Sequence, residues 1–347
     1  MGCSGIPKTQ INRTSNKLNK SIISENYILA EFKIKEEHLE EKQPIYNAIN
    51  NITHEGEDEK DVDRGIRECE IQINEKIIPF CQDYQFQKTG IYKIKYIFKN
   101  PLIDASSLFF YCPSLINIDL SHFQGQKLKI VREMFSGGCE FLEYINLSNF
   151  ELPNVTDMRA MLSNCYSLKS IDFSNLKANK IENIAGLFGG CASLETINLS
   201  NFNTENVIDM SGLFYSCKTL KYVDLSNFNT KKVTNMQDMF NECNSLESIK
   251  LSNFDTINVT NMQQMFAYCS SLKELDLSNF RTQNVKNMEF MFTSCENLVK
   301  INLSNFNISK ANIDGIFYEC SKLEKGGIIT KEKKILEQYE TDLHAND

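Results

Sequence analysis

Residues 246–292 read LESIKLSNFDTINVTNMQQMFAYCSSLKELDLSNFRTQNVKNMEFMF, in which one phrase occurs almost twice. The phrase recurs more loosely along most of the chain, and one cysteine marks its register in each copy. These cysteines are Cys112, Cys139, Cys165, Cys191, Cys217, Cys243, Cys269, Cys295 and Cys320. Successive cysteines are separated by a nearly constant interval of about 26 residues, and a fixed period of this length predicts a solenoid of stacked, similar units.

Each unit has two halves with different periodicities. The first half predicts a strand whose inner side carries Leu272, Leu275 and Leu277. The second half has apolar residues at the spacing of a helical stripe, as in Val285, Met288, Met291, Phe292 and Cys295. We therefore predict an α/β repeat fold over residues 108–325. It is a leucine-rich-repeat-like solenoid with one strand and one helix in each unit of about 26 residues.

Both ends of the solenoid need a cap, because an open end would expose the core to water. Residues 26–107 alternate apolar and polar side chains in three places, starting at Ile28, Cys69 and Tyr92, which predicts a small β-rich domain that caps the first unit. Residues 326–347 predict a C-terminal capping helix and tail. The apolar side of that helix consists of Ile335, Leu336, Tyr339 and Leu343.

The N-terminal arm, residues 1–25, resembles an acylation signal. Gly2 follows the initiator methionine and is a candidate for myristate, and Cys3 is a candidate for palmitate. The arm carries Lys8, Arg13, Lys17 and Lys20 and no acid before Glu25. Two acyl chains, or one chain with a basic cluster, give durable membrane binding. Ile6 stands where the signal prefers Ser or Thr, so a plain disordered arm is the alternative.

Composition excludes several classes of function. The chain of 347 residues has a net charge of −8, which argues against nucleic acid as a partner, because phosphate contacts need a basic face. Nine of the twelve cysteines occupy one buried position per unit, where they behave as small apolar residues in a reducing compartment. The chain has four scattered histidines and no phosphate loop, HExxH or CxxC pair. We expect no catalysis, no metal site and no cofactor.

Residues that are constant from unit to unit are expected to build the frame. A serine column is invariant, and the next column is Asn except at His122; both are expected to hydrogen-bond the turn backbone. An outward column alternates Glu and Lys, as in Glu143, Lys169, Glu195 and Lys221. Opposite charges in adjacent units stabilise their pairing. The outward face is therefore expected to have a true period of two units.

One outward column varies without such regularity, and variable columns are where repeat proteins bind. It consists of Asn117, Tyr144, Ser170, Thr196, Tyr222, Ser248, Glu274 and Lys300. Tyr144 and Tyr222 are amphipathic rings of the kind that anchor interfaces. Together with Glu274 and Lys300 they are the predicted partner-binding residues.

The phrase MFxxCxSLxxLDLSNFxTxNVTNM resembles the BspA-type leucine-rich repeat, which occurs in surface proteins of bacteria and protists and in mycoplasma-type lipoproteins. The resemblance covers residues 108–323, in which nearly every unit carries MF or LF, Cys, Leu and LSNF. It implies a right-handed solenoid of strand-and-helix units, and binding or adhesion rather than catalysis.

Two functions follow from these patterns. The first is a lipid-anchored scaffold on the cytoplasmic face of a membrane, which holds a protein partner of unknown identity on the strand face of the solenoid. The second is an exported cell-surface adhesion protein of the BspA type. Acylation of Gly2 and Cys3 would favour the first function, and glycans or disulfides would favour the second.

Overall fold

The computed structural model describes residues 25–47 and 66–344. The N-terminal part forms a β unit with a main sheet and a short two-stranded pairing beside it. Its strands are β1 (Tyr27–Ile34), β2 (Gln43–Pro44), β3 (Glu70–Ile73), β4 (Lys76–Ile78), β5 (Asp83–Tyr84) and β6 (Gly90–Ile97). A 3₁₀ turn (Glu36–Leu39) follows β1.

The β unit covers the N-terminal end of the solenoid by sheet pairing. Strand β1 pairs antiparallel with β6 on one side and with the first solenoid strand, β7 (Leu115–Asp119), on the other. Ala30 faces Ile118 across the β1–β7 pair. Alternation along β1 buries Ile28, Ala30, Phe32 and Ile34, so the core of the β unit is continuous with that of the first turn of the solenoid.

The solenoid consists of about eight turns of roughly 26 residues, here called rungs. After β7, each rung contributes one short strand: β8 (Tyr144–Asn146), β9 (Ser170–Asp172), β10 (Thr196–Asn198), β11 (Tyr222–Asp224), β12 (Ser248–Lys250), β13 (Glu274–Asp276) and β14 (Lys300–Asn302). Leucine, phenylalanine, methionine and cysteine columns fill the interior. A second parallel line of single bridges runs from Asp104 to Asn312 on another side of the rungs.

The predicted helix in each unit is wrong. Within residues 108–325, all of which the structure describes, no α-helix occurs. Two residues in each rung adopt positive φ, for example Asp238 at 55° and Glu242 at 61°. An α-helix of L-residues does not continue through the left-handed region. This half of each rung is therefore a chain of tight turns.

The hydrogen bonds of these turns explain why the apolar spacing looked helical. Every second N–H from residue 236 to residue 242 donates to a carbonyl of the next rung, as Met236 does to Asn261 at 2.9 Å. The N–H groups of Met239, Asn241 and Cys243 donate to carbonyls within the same turn. Successive tight turns bring apolar side chains to the interior at nearly the spacing of a helix. The backbone, however, bonds from rung to rung.

Four buried threonines connect five successive rungs at the turn that follows the strand. The Thr256 hydroxyl donates to the Arg281 carbonyl at 3.1 Å and accepts the Arg281 N–H at 2.7 Å. The same pair of bonds is made by Thr204, Thr230 and Thr282. Each hydroxyl therefore satisfies both backbone groups of one residue in the next rung. These two bonds explain why a polar residue occupies a position that is almost fully buried.

The cysteine column supplies a second set of contacts between rungs. Each thiol from Cys139 to Cys320 donates to the carbonyl of a phenylalanine or leucine in the preceding rung, with S···O distances of 3.0–3.6 Å. All cysteines in the described ranges are free thiols. Burial raises the pKa of the Cys243 thiol to about 12, against an ordinary value of 9.0. The column therefore remains protonated and able to donate.

Aromatic rings stack along the interior and end on the C-terminal cap. Six phenylalanine rings from Phe188 to Phe317 stack at centroid separations of 5.5–5.9 Å. After β15 (Ile328–Ile329), which adds to β14, helix α1 (Lys333–His344) covers the last rung. The Tyr339 ring packs edge-on against Phe317, and Asp342 accepts the Phe317 N–H at 2.9 Å.

The interior columns exchange leucine and phenylalanine around β9. Around β9, leucine replaces phenylalanine at Leu162 and Leu176, and Phe173 stands in a column that other rungs fill with leucine. The Phe173 ring packs edge-on against Phe188 and Phe202 at 5.3 and 5.5 Å. These three positions therefore lose two aromatic rings and gain one, which packs against two phenylalanines of the next rung.

The apolar side of α1 is narrower than the sequence predicts. Ile335 and Tyr339 are buried and Leu336 is partly buried. Leu343, which the sequence places on the same side, is 49% exposed. Asp342 instead turns inward, because the last rung leaves a backbone N–H that needs an acceptor.

The strand face shows the two-rung period that the sequence predicts. Strands pair as β7–β8, β9–β10, β11–β12 and β13–β14, and among these described strands no ladder joins one pair to the next. In the β9–β10 pair the Glu195 N–H donates to the Lys169 carbonyl at 2.8 Å, and in the β11–β12 pair the Glu247 N–H donates to the Lys221 carbonyl at 2.9 Å. Glutamate and lysine thus meet within a hydrogen-bonded pair of strands.

We predict that Thr256→Val destabilises the protein by about 1–3 kcal/mol, because it leaves a buried N–H and a buried carbonyl without their partner. Urea unfolding followed by circular dichroism measures the loss. Thr256→Ser keeps the hydroxyl and is expected to lose much less stability. Equal losses in the two variants would contradict a hydrogen-bonding role for the threonine column.

We also predict that stability falls steeply at alkaline pH. Unfolded thiols ionise near pH 9 whereas the folded Cys243 thiol ionises near 12, so its stabilising contribution is complete below pH 9 and is lost as pH rises towards 12. Each such thiol adds a slope of about 1.4 kcal/mol per pH unit in that window. Cys243→Ala should reduce the slope of unfolding free energy against pH, whereas Met239→Ala, a buried residue that does not titrate, should leave the slope unchanged.

Candidate functional site

The strand face is the candidate site, because it is the side of the solenoid on which the outward residues differ from rung to rung. Each short strand from β8 to β14 has its middle residue turned towards the core and its two flanking residues turned towards solvent. The flanking residues form two parallel columns. The first is the variable column that begins with Asn117 and Tyr144, and the second begins with Asp119 and Asn146.

The second column has a structural role that sequence reasoning missed. Its Asp or Asn side-chain oxygen accepts the N–H of the serine that follows the strand, as Asp276 does for Ser278 at 2.9 Å and Asn146 for Ser148 at 3.0 Å. Both residue types supply this acceptor, which accounts for their interchange along the column. The neighbouring asparagine column donates to carbonyls of the preceding rung, as Asn279 does to Phe254 at 3.1 Å. Constant polar residues therefore build the corner of each rung.

The variable column contains two exposed tyrosines separated by two small residues. Tyr144 on β8 is 56% exposed and Tyr222 on β11 is 44% exposed. Ser170 and Thr196 lie between them on β9 and β10. At about 4.8 Å per rung the two rings stand roughly 14 Å apart. We call this arrangement the Tyr144–Tyr222 notch.

A shallow depression of about 410 Å³ lies on the Tyr144 side of the notch, and Tyr222 is not part of its lining. Its lining comes from three neighbouring strands and their following turns: Tyr144, Ile145, Asn146, Leu147, Ser148, Ser170, Ile171, Asp172, Asn175, Thr196, Ile197 and Asn198. The Tyr144 ring supplies apolar surface, and the Asp, Asn and Ser side chains supply polar groups. Ile145, Leu147 and Ile171 are at most 6% exposed, because their side chains face the core.

Tyr222 is held in place by a charged cluster. The Tyr222 hydroxyl donates to Asp224 Oδ2 at 3.1 Å, and Lys250 Nζ lies 2.8 Å from the same oxygen and 5.7 Å from the ring centroid. The Lys250 ammonium and the Ser226 hydroxyl hold the pKa of Asp224 well below its usual range. The carboxylate remains charged, so the tyrosine is oriented before any partner arrives.

The other two predicted residues lie elsewhere on the face. Glu274 and Lys300 are register partners on β13 and β14. Glu274 is five rungs from Tyr144, roughly 24 Å along the axis. The structure therefore brings Tyr144 and Tyr222 to one notch and leaves the charged pair near the C-terminal end. Gly2 and Cys3, the predicted acylation sites, lie outside the described residues.

Two exposed aromatic residues near the notch were missed by the sequence reasoning. Phe141 is 44% exposed and precedes β8, and Tyr166 is 43% exposed and precedes β9. The signal was present, since both stand in the turn after the cysteine, where other rungs carry small, polar or charged residues. The Phe141 ring centroid lies 4.9 Å from Lys35 Nζ.

Neither metal chemistry nor a membrane span is indicated in the part of the chain that the structure describes. Within residues 25–47 and 66–344, no three His, Cys, Asp or Glu side chains are grouped so that they could hold a metal ion. In the same ranges no helix is long and apolar enough to cross a bilayer.

The repeats match a known protein family. The family described as "Mycoplasma protein of unknown function, DUF285" matches residues 103–222, 167–250 and 208–330. No curated protein matches the chain. Among solved structures, the crystal structure of the TLR13–ssRNA13 complex is similar at 14% identity and a TM-score of 0.23. That comparison covers 66% of this chain and 42% of the other, so the chain spans less than half the length of that protein. The family matches together span residues 103–330, well over half of the sequence, and the chain belongs to the DUF285 family.

Proposed function

We propose that this protein is a non-catalytic interaction scaffold that binds a protein partner through the Tyr144–Tyr222 notch. The observation that carries the proposal is the variable column, in which two exposed tyrosines flank Ser170 and Thr196 beside a shallow depression that Tyr144 lines. Tyrosine is favoured in binding hot spots, because a large ring loses little side-chain entropy when it is buried. The constant residues around the notch are occupied with hydrogen bonds inside the frame.

The size of the notch indicates what it binds. A gap of roughly 14 Å between the two rings accommodates one or two side chains of a partner segment lying across the rungs. The exposed rings of Tyr144 and Tyr222 offer apolar contact, and Ser170, Thr196 and the Asn and Asp side chains beside them offer hydrogen bonds. A partner segment with an apolar residue flanked by polar ones fits this chemistry.

We further propose that the scaffold is attached to the cytoplasmic face of a membrane by myristate on Gly2 and palmitate on Cys3. Support comes from the Met-Gly-Cys start and the basic, acid-free arm that follows it. The free thiols of the described cysteines suit a reducing compartment. The resemblance of the repeats to the BspA type supports the alternative, an exported adhesion protein at the cell surface.

For the notch we predict that Tyr144→Ala and Tyr222→Ala each weaken partner binding by about 2 kcal/mol or more, the usual effect of truncating an interface anchor. A photo-crosslinking residue at Ser170 identifies the partner in cells, and calorimetry with the purified partner then measures affinity. Tyr215→Ala is the matched control, because Tyr215 is an exposed tyrosine outside the strands. Unchanged affinity in both notch variants would rule the notch out as the binding site.

For the anchor we predict that the native protein carries the added mass of two acyl chains and sediments with membranes. The variant with Gly2→Ala and Cys3→Ser is expected to be unmodified and to lose most of its membrane binding, because both acyl chains are absent. Intact-mass spectrometry with membrane fractionation gives both readouts. A native protein that is unmodified and not membrane-bound would exclude the anchor, and one that carries glycans would support the exported alternative.

A further inference from the structure

A shallow groove of about 560 Å³ lies on the side of the first rungs where the chain turns after the strand. Its lining comes from successive rungs and the segment before them: Ile103, Gln126, Lys127, Lys129, Asn154, Thr156 and Lys180. Three lysines are in the lining and no carboxylate is, in a chain whose net charge is −8. We call this feature the lysine groove.

Contacts between the rungs fix polar groups of the lysine groove. The Asn154 amide donates to the Gln126 carbonyl at 2.8 Å, and Lys180 Nζ donates to the Asn154 side-chain oxygen at 2.7 Å. Glu151, an acid of the neighbouring turn, is paired with Lys177 at 2.5 Å. The Lys180 ammonium is therefore positioned by a neutral amide, and this contact leaves its positive charge available to an anion.

The N-terminal arm joins the fold beside this groove. The Asn26 side-chain oxygen accepts the Gln124 N–H at 2.8 Å, and Tyr27 stacks on His122 at 4.5 Å between ring centroids. Gln124 is close in sequence to Gln126, which lines the groove. The described chain thus begins next to the groove, and the sequence before it carries four basic residues, no acid, and the candidate acylation sites.

We propose that the lysine groove binds the phosphate headgroup of an anionic membrane lipid, and so holds the N-terminal end of the solenoid against the membrane. Lysines in a lining that has no carboxylate attract a phosphate by their charge, and the side chains of Gln126 and Thr156 bring amide and hydroxyl groups to the same lining. The proposal rests on membrane attachment through the arm, because the arm brings a bilayer to this end of the chain. Nucleic acid fits less well, because it needs a basic face along many phosphates.

The headgroup contact gives the scaffold an orientation that acyl chains alone do not provide. Acyl chains on a long arm restrain only the distance from the bilayer. A second contact on the turn side of the first rungs restrains rotation as well. The notch is on the strand face, a different side of the same rungs, so it remains accessible to a partner. A basic cluster beside an acyl chain is also the usual second signal for durable attachment.

Vesicle co-sedimentation of the full chain tests the proposal. The protein carries Gly2→Ala and Cys3→Ser so that both acyl chains are absent, and the probes are phosphatidylcholine vesicles with and without phosphatidylserine. Binding is expected only with phosphatidylserine. Lys127→Gln, Lys129→Gln and Lys180→Gln together should weaken it about a hundredfold, at about fivefold per lysine near an anionic surface. The matched control neutralises Lys169, Lys221 and Lys273, three exposed lysines beside the strands.

The outcomes distinguish a specific groove from diffuse charge attraction and from a soluble ligand. Vesicle binding that is lost in the groove variant, kept in the control variant and kept when the groove lysines become arginine supports the proposal. Equal loss in both triple variants would show diffuse attraction and overturn it, as would absence of binding to phosphatidylserine vesicles. If the groove lysines are needed for binding inositol hexakisphosphate and the protein does not bind vesicles, the ligand is a soluble phosphate. That result would overturn the assignment of the groove to a lipid headgroup. Because Gly2 and Cys3 are both already substituted, failure of the acyl anchor leaves this result unaffected.

Discussion

Hydrogen bonding from one rung to the next is the constraint on which this molecule depends. A short strand, a chain of tight turns and a corner follow one another in roughly 26 residues, and many of their N–H groups find their acceptor outside the rung. The next rung supplies the acceptors, as with the alternate N–H groups of residues 236–242. An isolated rung would leave these groups unsatisfied, so the rungs are stable only as a stack.

The polar and sulfur-containing side chains serve the same constraint. Thr256 satisfies both backbone groups of Arg281, and the Cys243 thiol donates to the Phe214 carbonyl. These side chains recur at one place per rung, because a repeated backbone presents the same unsatisfied group at each level. Where the stack ends, β1 and helix α1 supply the missing partners, and Asp342 accepts an N–H that no further rung covers.

The two proposed sites combine residues that vary from rung to rung with constant residues of the frame. In the Tyr144–Tyr222 notch, two small residues lie between the two tyrosines of the variable column, and the lysine groove places three positive charges at one end of an acidic chain. The two sites lie on different sides of the solenoid. A bound partner and a membrane surface would then meet the same rungs without competing for the same residues.

The sequence by itself determined the repeat length, the buried columns and the two-rung period of the strand face, because each follows from a pattern that recurs within the chain. It also indicated Tyr144 and Tyr222, because they break such a pattern. Only the tertiary structure decided that the second half of each rung consists of turns. The spacing of apolar residues there suits a helix and successive tight turns equally, and the difference lies in backbone N–H groups whose acceptors are in the next rung. The lysine groove depended on the structure for the same reason, since only stacking places Lys127 and Lys180 in one lining.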